Sequence, residues 1–372
     1  MNGRSGPGAP GGLLAHLRRR IAREGPLTVA AFMEEALLNP SGGYYTTRDP
    51  FGIRGDFITA PEISQMFGEL IGAWCAAVWQ GLGRPDPIHL VELGPGRGTL
   101  MADLLRATRS TPGFNGAARV HLVEVSPALR ARQRETLAQA PMSAPPVWHD
   151  GFATVPEGPL LVIANEFFDA LPIRQFQKAE TVWRERLIAI ADDGTLRVVL
   201  SSPTPVEALI PRELRHAPEG AVVEVCPAAI GLVHTVAARV ARDKGAALIV
   251  DYGHPRSALG DTLQAVKEHA YHDVLADPGE ADLTAHVDFG ALARAAGEAG
   301  AVVFGPIPQG TFLTRLGLAA RASALSAKAN ATQAGDIAAA VRRLTEADAM
   351  GALFKVLALM PPGHAAPPGF GT

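Results

Sequence analysis

Two kinds of pattern alternate in the apolar and polar positions along the chain. Apolar residues spaced three and four apart predict helices over residues 13–23 and 29–38, the second with Thr28 as its N-cap. Short continuous apolar runs predict buried strands. These runs are residues 88–93, 119–125, 160–165, 246–250 and 301–304. Strands that alternate with helices are typical of an α/β fold with a mostly parallel sheet.

A third pattern occupies residues 173–202, where polar and apolar residues alternate on either side of Asp193-Gly194. This alternation predicts an antiparallel insertion with a tight hairpin turn. Residues 260–285 are expected to be irregular, and the end of the chain to be Ala-rich helix with a buried segment at 353–360. The predicted parts are a helical N-terminal extension with a lid loop (1–85), the first half of a ligand-binding core (86–170), the antiparallel insertion on the substrate side (171–225), and the second half of the core with helical additions (226–372).

The stretch from Leu90 to Leu104 is the most informative part of the chain. The predicted strand that ends at Leu93 is followed by glycines at positions 94, 96 and 98, and a helical pattern begins at Thr99. Glycine permits a tight turn and leaves room for a ligand. A strand, a Gly-rich turn and a helix form the nucleotide-binding unit of doubly wound folds. The alternative is a tight turn with no ligand.

Two ligand classes use such a turn. Dinucleotide-binding proteins need Gly-x-Gly-x-x-Gly, and here Thr99 takes the place of the last glycine. The stretch Glu92-Leu-Gly-Pro-Gly-Arg-Gly-Thr99 instead resembles motif I of class I S-adenosylmethionine methyltransferases. That ligand has no phosphate and carries a cationic amino group, which the Glu92 carboxylate would attract. We therefore predict S-adenosylmethionine as cofactor, bound by Glu92, Gly94, Gly96, Gly98 and Thr99.

Acidic residues also lie at the carboxyl end of the predicted strand 119–125 and of a possible short strand at 147–150. Glu124 lies where carboxylates commonly accept hydrogen bonds from ribose hydroxyls, although a solvated strand-end carboxylate is the alternative. Asp150 ends the stretch Val147-Trp-His-Asp150, a possible strand end with an aromatic residue able to meet an adenine. Both acids are predicted to bind the cofactor.

Composition narrows the class of protein. Apolar residues make up 47% and charged residues 19% of the chain, and the net charge is −3, so nothing global favours nucleic acid or an anionic membrane. The two cysteines, Cys75 and Cys226, exclude a disulfide framework and a Cys-rich zinc site. No apolar run reaches membrane-spanning length. We expect no membrane insertion.

Six segments together resemble the MidA-like methyltransferases, a family that includes the mitochondrial arginine methyltransferase needed for respiratory complex I assembly. The resemblance covers residues 27–360. It rests on Tyr44-Tyr45, Gly55-Asp-Phe-Ile-Thr-Ala-Pro-Glu-Ile-Ser64, Glu92-Leu-Gly-Pro-Gly-Arg-Gly-Thr99, Asn165-Glu-Phe-Phe-Asp-Ala-Leu-Pro172, Asp251-Tyr-Gly-His254 and His286-Val-Asp-Phe289.

The resemblance implies a class I, Rossmann-like methyltransferase fold and S-adenosylmethionine as methyl donor. It also implies a protein substrate, with symmetric ω-dimethylation of an arginine on a quinone-side complex I subunit or a similar protein. Two alternatives stay open: a methyltransferase for small molecules or other protein side chains, and a non-catalytic S-adenosylmethionine-binding assembly factor.

Candidate catalytic residues follow the strand at 160–165, because ligands bind at the carboxyl ends of parallel strands. A guanidinium is protonated in water, so its methylation needs carboxylates that hold it and accept a proton. Glu166 and Asp169 are the candidates, with Asn165 as their orienting partner. The alternative is that the two acids cap the following turn.

The end of a long Gly- and aromatic-rich loop, from Gly55 to Glu62, is predicted to close over the donor as a lid. Its predicted donor-binding residues are Gly55, Asp56, Thr59 and Glu62. We expect no metal, because His269, His272 and His286 lie in an irregular segment without helical i,i+4 spacing. These histidines are expected to have polar structural or substrate-facing roles.

Overall fold

The computed structural model describes residues 12–47 and 59–371, which form two compact units. The accessory unit comprises the described parts of Met1–Phe57 with Asp169–Ile230 and Arg256–Asp288. The core unit comprises the described parts of Ile58–Phe168, Gly231–Pro255 and Phe289–Thr372. The four-part division inferred from the sequence stays a prediction.

The bounds of the helices and strands follow in chain order. The helices are α1 (Gly12–Glu24), α2 (Val29–Leu38), α3 (Tyr44–Thr47), α4 (Ala60–Ile63), α5 (Gln65–Gly81), α6 (Thr99–Ala107), α7 (Phe114–Ala117), α8 (Pro127–Leu137), α9 (Pro227–Asp243), α10 (Phe289–Glu298), α11 (Gln309–Arg315), α12 (Leu318–Ser326), α13 (Ala331–Thr345) and α14 (Met350–Leu353). The strands are β1 (Leu27–Thr28), β2 (Ile88–Leu93), β3 (Ala118–Val123), β4 (Val147–His149), β5 (Leu160–Asn165), β6 (Arg174–Ala179), β7 (Val182–Ile190), β8 (Leu196–Leu200), β9 (Val222–Val225), β10 (Ala246–His254), β11 (Gln264–Lys267), β12 (Ala270–His272), β13 (Asp282–Thr284), β14 (Val287–Asp288), β15 (Val302–Pro308) and β16 (Phe354–Met360).

The sheet of the core unit has the strand order β15-β16-β10-β5-β2-β3-β4. Neighbouring strands from β4 to β10 are parallel, whereas β16 is antiparallel to both β10 and β15. This arrangement confirms the predicted mostly parallel α/β sheet. Because the parallel strands end at one edge, residues just beyond β2, β3, β5 and β10 lie near one another.

The expected helical end of the chain is wrong for residues 354–360, which form β16. Val356, Leu357, Ala358 and Leu359 are all fully buried between β10 and β15. An apolar run that is buried on all sides has no period that separates a helix from a strand.

Helices α5 and α6 pack closely on the sheet of the core unit. A Cβ atom on Gly68 would lie 2.7 Å from the Asp103 Cβ atom, and one on Gly72 would lie 2.9 Å from the Leu104 carbonyl oxygen. Glycine at both positions therefore permits the close approach of the two helices. The apolar faces of these helices and of the sheet, including Trp74, form the core of this unit.

The accessory unit contains the predicted antiparallel insertion. Its first sheet has the order β1-β7-β6-β9, with β8 paired to β7. The predicted hairpin is confirmed: Ile190 pairs with Leu196, and Gly194 between them has a φ of 82°. Helices α1 and α2 bury apolar residues in the core of this unit, and the Thr28 side chain caps α2 by accepting a hydrogen bond from the Ala31 N–H.

The prediction that residues 260–285 are irregular is wrong for part of this segment. Strands β12, β11 and β13 form a three-stranded antiparallel sheet. The turn between β11 and β12 uses Glu268 and His269 at φ angles of 53° and 63°. Turns of this kind usually carry Gly or Asn, so the usual sequence signal is missing.

Candidate functional site

The Gly-rich turn after β2 has the tight geometry that its sequence predicts. Gly94, Gly96 and Gly98 have φ angles of 61°, 52° and 82°, in the left-handed region that favours glycine. A Cβ atom on Gly94 would lie 2.6 Å from the Phe167 ring, so a larger residue would displace that ring. The Gly98 N–H donates to the Pro95 carbonyl oxygen at 2.7 Å, and α6 begins at Thr99.

Strand register brings three of the predicted polar residues to one face of this sheet edge. Glu92 of β2 is level with Leu122 of β3 and Ile163 of β5. Glu124 and Asn165 each follow those partners by two residues. Because side chains alternate between faces with a period of two, Glu92, Glu124 and Asn165 share a face.

Glu92 is a buried carboxyl group beside the turn. Its side chain is 3% exposed, and its Oε2 atom has no hydrogen-bond partner among the described residues. Burial raises the pKa of Glu92 to about 8. A buried ionised carboxylate is costly unless it is paired, so this position suits a cationic group placed against it. The amino group of S-adenosylmethionine has that charge, and this residue therefore fits the predicted cofactor.

Glu124 is buried as well, so its interpretation as a solvated strand-end carboxylate is wrong. Its side chain is 8% exposed. The Oε1 atom accepts a hydrogen bond from the Ser126 N–H at 2.8 Å, and Oε2 accepts one from the Gln133 Nε2 atom at 3.2 Å. Burial raises the pKa of Glu124, and these hydrogen bonds counteract part of the rise.

Asp150, the other predicted adenosine-side acid, lies just beyond β4 as expected. Its side chain is 88% exposed and pairs with Arg130 at 2.5 Å between Oδ1 and Nη2. An exposed, paired carboxylate is a weaker candidate for ligand recognition than the buried Glu124. Its cofactor role stays a prediction.

The end of the predicted lid loop that the structure describes lies against the Gly-rich turn. The Thr99 hydroxyl donates to the Glu62 Oε1 atom at 2.6 Å. Thr59 precedes α4 without a side-chain capping hydrogen bond. Gly55 and Asp56 lie outside the described residues, so closure of the lid stays a prediction.

Glu166, the predicted proton acceptor, lies in a strained turn directly after β5. Its φ of 50° is in the left-handed region, where a non-glycine residue costs about 1–3 kcal/mol. Its Oε1 atom accepts hydrogen bonds from the Ala60 N–H at 2.9 Å and from the Asn165 Nδ2 atom at 3.1 Å. The next residue, Phe167, contacts Gly94, so this turn and the Gly-rich turn are in direct contact. Such strain is common at functional sites.

Asn165 is hydrogen-bonded to this carboxylate, and its role as the orienting partner stays a prediction. Its Nδ2 atom donates to Glu166, whereas its buried Oδ1 atom has no hydrogen-bond partner within the part of the chain described. A buried acceptor at the ligand-binding edge suits a hydrogen-bond donor on a bound molecule.

Asp251 holds the strained turn, and the sequence did not single it out as a site residue. It is fully buried in β10. Its Oδ2 atom accepts from the N–H groups of Phe167 at 3.1 Å and Phe168 at 2.9 Å, and its Oδ1 atom accepts from the Tyr252 N–H at 2.9 Å. The available signal was an acid near the carboxyl end of a parallel strand, because β10 neighbours β5.

Asp169 belongs to the accessory unit. It is buried, and its backbone carbonyl accepts from the Ala285 N–H at 2.9 Å. Nearby, the Tyr45 hydroxyl donates to the Asp282 Oδ1 atom at 2.8 Å. Burial, with the charges of Asp282 and Asp169, raises the pKa of Tyr45 well above its usual value. Asp282 was not a predicted site residue, and the role of Asp169 stays a prediction.

The histidines considered for metal binding lie in the accessory unit. His269 is in the β11–β12 turn, and His272 Nε2 lies 3.3 Å from the Asp277 carboxylate. In residues 12–47 and 59–371, no group of three or more His, Cys, Asp or Glu side chains is arranged to hold a metal ion. The same residues contain no helix long and apolar enough to cross a membrane.

The fold and the Gly-rich site define a class I methyltransferase, and comparison with known proteins gives the family. Residues 70–307 match the family model of S-adenosyl-L-methionine-dependent methyltransferases, and the chain belongs to this family. The chain is 44% identical to the mitochondrial protein arginine methyltransferase NDUFAF7 of Danio rerio, over 84% of this chain and 78% of the relative. It is 42% identical to NDUFAF7 of Homo sapiens, over 86% of this chain and 76% of the relative.

A solved structure agrees with this assignment. The crystal structure of a Burkholderia thailandensis protein bound to S-adenosyl-homocysteine is 33% identical to this chain. It superposes with a TM-score of 0.81 and covers 96% of this chain and 93% of its own. The present chain is therefore an S-adenosylmethionine-dependent methyltransferase with a class I fold, as the sequence predicted.

Proposed function

We propose that this enzyme transfers methyl groups to arginine side chains of a protein, with symmetric dimethylation as the product. The observation that carries the proposal is the strained turn at Glu166, which fixes a carboxylate next to Phe167, the residue that contacts the Gly-rich turn. The names of the relatives support the same substrate class.

In the proposed site, the core unit binds the donor through Glu92, the Gly-rich turn, Thr99 and Glu124. Glu62, Thr59, Asp150 and the loop residues Gly55 and Asp56 contribute further donor contacts. When bound, S-adenosylmethionine supplies an electrophilic methyl group on its sulfonium.

Glu166 binds the substrate guanidinium and localises its positive charge away from the nitrogen that is methylated. Charge-assisted hydrogen bonds to a carboxylate are about twice as strong as neutral ones, so one fixed carboxylate can orient the fork. The Asn165 amide holds the Glu166 Oε1 atom, and its own Oδ1 atom accepts an N–H from the substrate. Asp169 is the second proposed carboxylate. The proton that leaves with methylation goes to a carboxylate of this set.

From the resemblance to the MidA-like methyltransferases, we infer a protein substrate such as a quinone-side subunit of respiratory complex I. The names of the relatives support a protein arginine as the methylated group. The corresponding location is the mitochondrial matrix in a eukaryote and the cytoplasm in a bacterium.

The test uses labelled S-adenosylmethionine and a lysate from cells that lack this enzyme. The wild-type protein is expected to label protein that mass spectrometry identifies as methylated on arginine nitrogens. A Gly96→Val variant, which is expected not to bind the donor, is the control for unrelated transfer. Label found only on small molecules or on other protein side chains would contradict the arginine assignment.

A further inference from the structure

A buried glutamine on α8 connects three parts of the proposed donor site. Gln133 is fully buried, so each polar atom of its amide needs a partner. Its Oε1 atom accepts from the Trp148 Nε1–H at 2.7 Å. Its Nε2 atom donates to the Gly96 carbonyl oxygen at 2.8 Å and to the Glu124 Oε2 atom at 3.2 Å. Gln133 thus contacts the Gly-rich turn, the predicted ribose acceptor and the aromatic residue of β4.

The three partners leave only one orientation of this amide. The indole N–H of Trp148 can only donate, so it must face the amide oxygen of Gln133. The two hydrogens on Nε2 then point to Gly96 and Glu124, and both of these partners are oxygen acceptors. If the amide were turned over, its nitrogen would face the Trp148 N–H and its oxygen would face two acceptor oxygens, so all three hydrogen bonds would be lost.

A second side chain of α8 fixes the same acid. Arg130 lies one helical turn before Gln133 on the same face of the helix. Its guanidinium donates to the backbone carbonyl oxygen of Glu124, with 2.7 Å from the Nε atom, and to the carboxylate of Asp150. Helix α8 therefore holds Glu124 through both its main chain and its side chain.

We propose that Gln133 is a positioning residue that sets the Glu124 carboxylate and the Gly96 carbonyl for recognition of the donor's ribose. Each Glu124 oxygen already accepts one protein N–H and retains a lone pair for a ribose hydroxyl. Without Gln133, the carboxylate can rotate, and the turn loses the contact that fixes Gly96. This inference rests on the proposed assignment of Glu124 to the ribose.

The test is calorimetric binding of S-adenosylhomocysteine and of its analogue that lacks the ribose 2′-hydroxyl. Gln133→Met keeps the length of the side chain and removes its three hydrogen bonds. It is expected to weaken S-adenosylhomocysteine binding about 10- to 100-fold, because one to two hydrogen bonds to the ligand lose their geometry. The preference for the ligand with the hydroxyl is expected to shrink, and KM for the donor to rise while kcat stays within about twofold. Gln80→Met, at an exposed position of α5, is the matched control.

Trp148→Phe is the second variant, because it removes the indole N–H that orients the amide. It also makes the ring smaller, so the preference for the 2′-hydroxyl, rather than the affinity alone, reports the loss of this hydrogen bond. Like Gln133→Met, this variant is expected to bind S-adenosylhomocysteine more weakly and to show a smaller preference for the ligand with the 2′-hydroxyl. It provides the test of the inference if Gln133→Met does not fold. Wild-type affinity and preference in the folded variants would overturn the inference. If Glu124→Gln leaves the affinity and the 2′-hydroxyl preference unchanged, the assignment of Glu124 to the ribose is wrong and the inference about Gln133 is wrong with it. The labelling of arginine in the lysate tests the proposed function independently of this result.

Discussion

The ionisation of Glu92 should couple donor binding to pH. In the ligand-free protein, burial raises the pKa of this carboxyl to about 8, so it is mostly protonated at pH 7. A cationic amino group placed against it favours the ionised form, and ligand binding should therefore release a proton. At pH 7 about 0.9 proton should leave for each S-adenosylhomocysteine bound, since about nine-tenths of the carboxyl is protonated before binding.

The magnitude follows from the same linkage. If the bound carboxylate stays ionised down to pH 5.5, affinity should rise about 80-fold between pH 5.5 and pH 7.5 and become flatter above pH 8. The ligand-free fold should show the opposite trend. A raised carboxyl pKa contributes stability that is fully present below the unfolded value of 4.5 and is lost as pH rises through about 8. The loss is at most about 5 kcal/mol, at 1.36 kcal/mol for each pH unit.

The assay is calorimetric titration with S-adenosylhomocysteine at several pH values, in two buffers of different ionisation enthalpy. Glu92→Gln keeps the shape and cannot release a proton, so its affinity should be lower at neutral pH and nearly independent of pH. A wild-type protein that releases no proton, or whose pH profile matches that of Glu92→Gln, would refute the reasoning.

Three further predictions test other parts of the site and fold. Gly96→Val should abolish S-adenosylhomocysteine binding in calorimetry while the protein stays folded. The control is Gly83→Val, at another left-handed glycine with open space around it, which should lose stability but still bind S-adenosylhomocysteine. Normal binding by Gly96→Val would argue against the Gly-rich turn as the donor site. Burial and the neighbouring histidines lower the pKa of His121 to about 4, from an ordinary pKa of 6.5. The free energy of unfolding should therefore fall by up to about 3 kcal/mol as the pH drops from above 6.5 to 4. Denaturant titrations should show a shallower fall with pH in His121→Asn, and an equal fall in both proteins would contradict this. Asp251→Asn should lower Tm and slow methyl transfer, because the amide nitrogen of the new side chain would face backbone N–H donors that the carboxylate now accepts. An unchanged rate of methyl transfer would show that the Glu166 turn does not need this carboxylate.

Local signals in the sequence were sufficient for the elements that depend on near neighbours. The Gly-rich turn needs glycine at left-handed positions, and the Asp193-Gly194 hairpin needs the same at Gly194, so residue type alone indicates both. The predicted helices have their own periodicity, and the parallel strands are short continuous apolar runs. Because the carboxyl ends of parallel strands meet at one edge of a sheet, these elements were sufficient to predict that Glu92, Glu124 and Glu166 lie at that edge.

The remaining features depend on contacts between distant segments. Strand β16 is apolar on both faces because β10 and β15 flank it, and no period in its own sequence separates it from a helix. Gln133 is an ordinary residue of α8 until the fold brings Gly96 and Trp148 to it. The buried state of Glu124 and the role of Asp251 likewise follow from register and packing.

Glu166 should serve the chemistry of methyl transfer more than the binding of the donor. Glu166→Gln keeps the shape and removes the charge, and Glu180→Gln is a matched control, because Glu180 also has a left-handed φ, 55°, but is exposed between β6 and β7. Single-turnover methylation should fall about 10²- to 10⁴-fold in Glu166→Gln, the range expected for acid–base groups, while S-adenosylhomocysteine affinity stays within about twofold of wild type. Methylation at the wild-type rate, or lost donor affinity with normal turnover, would contradict the account.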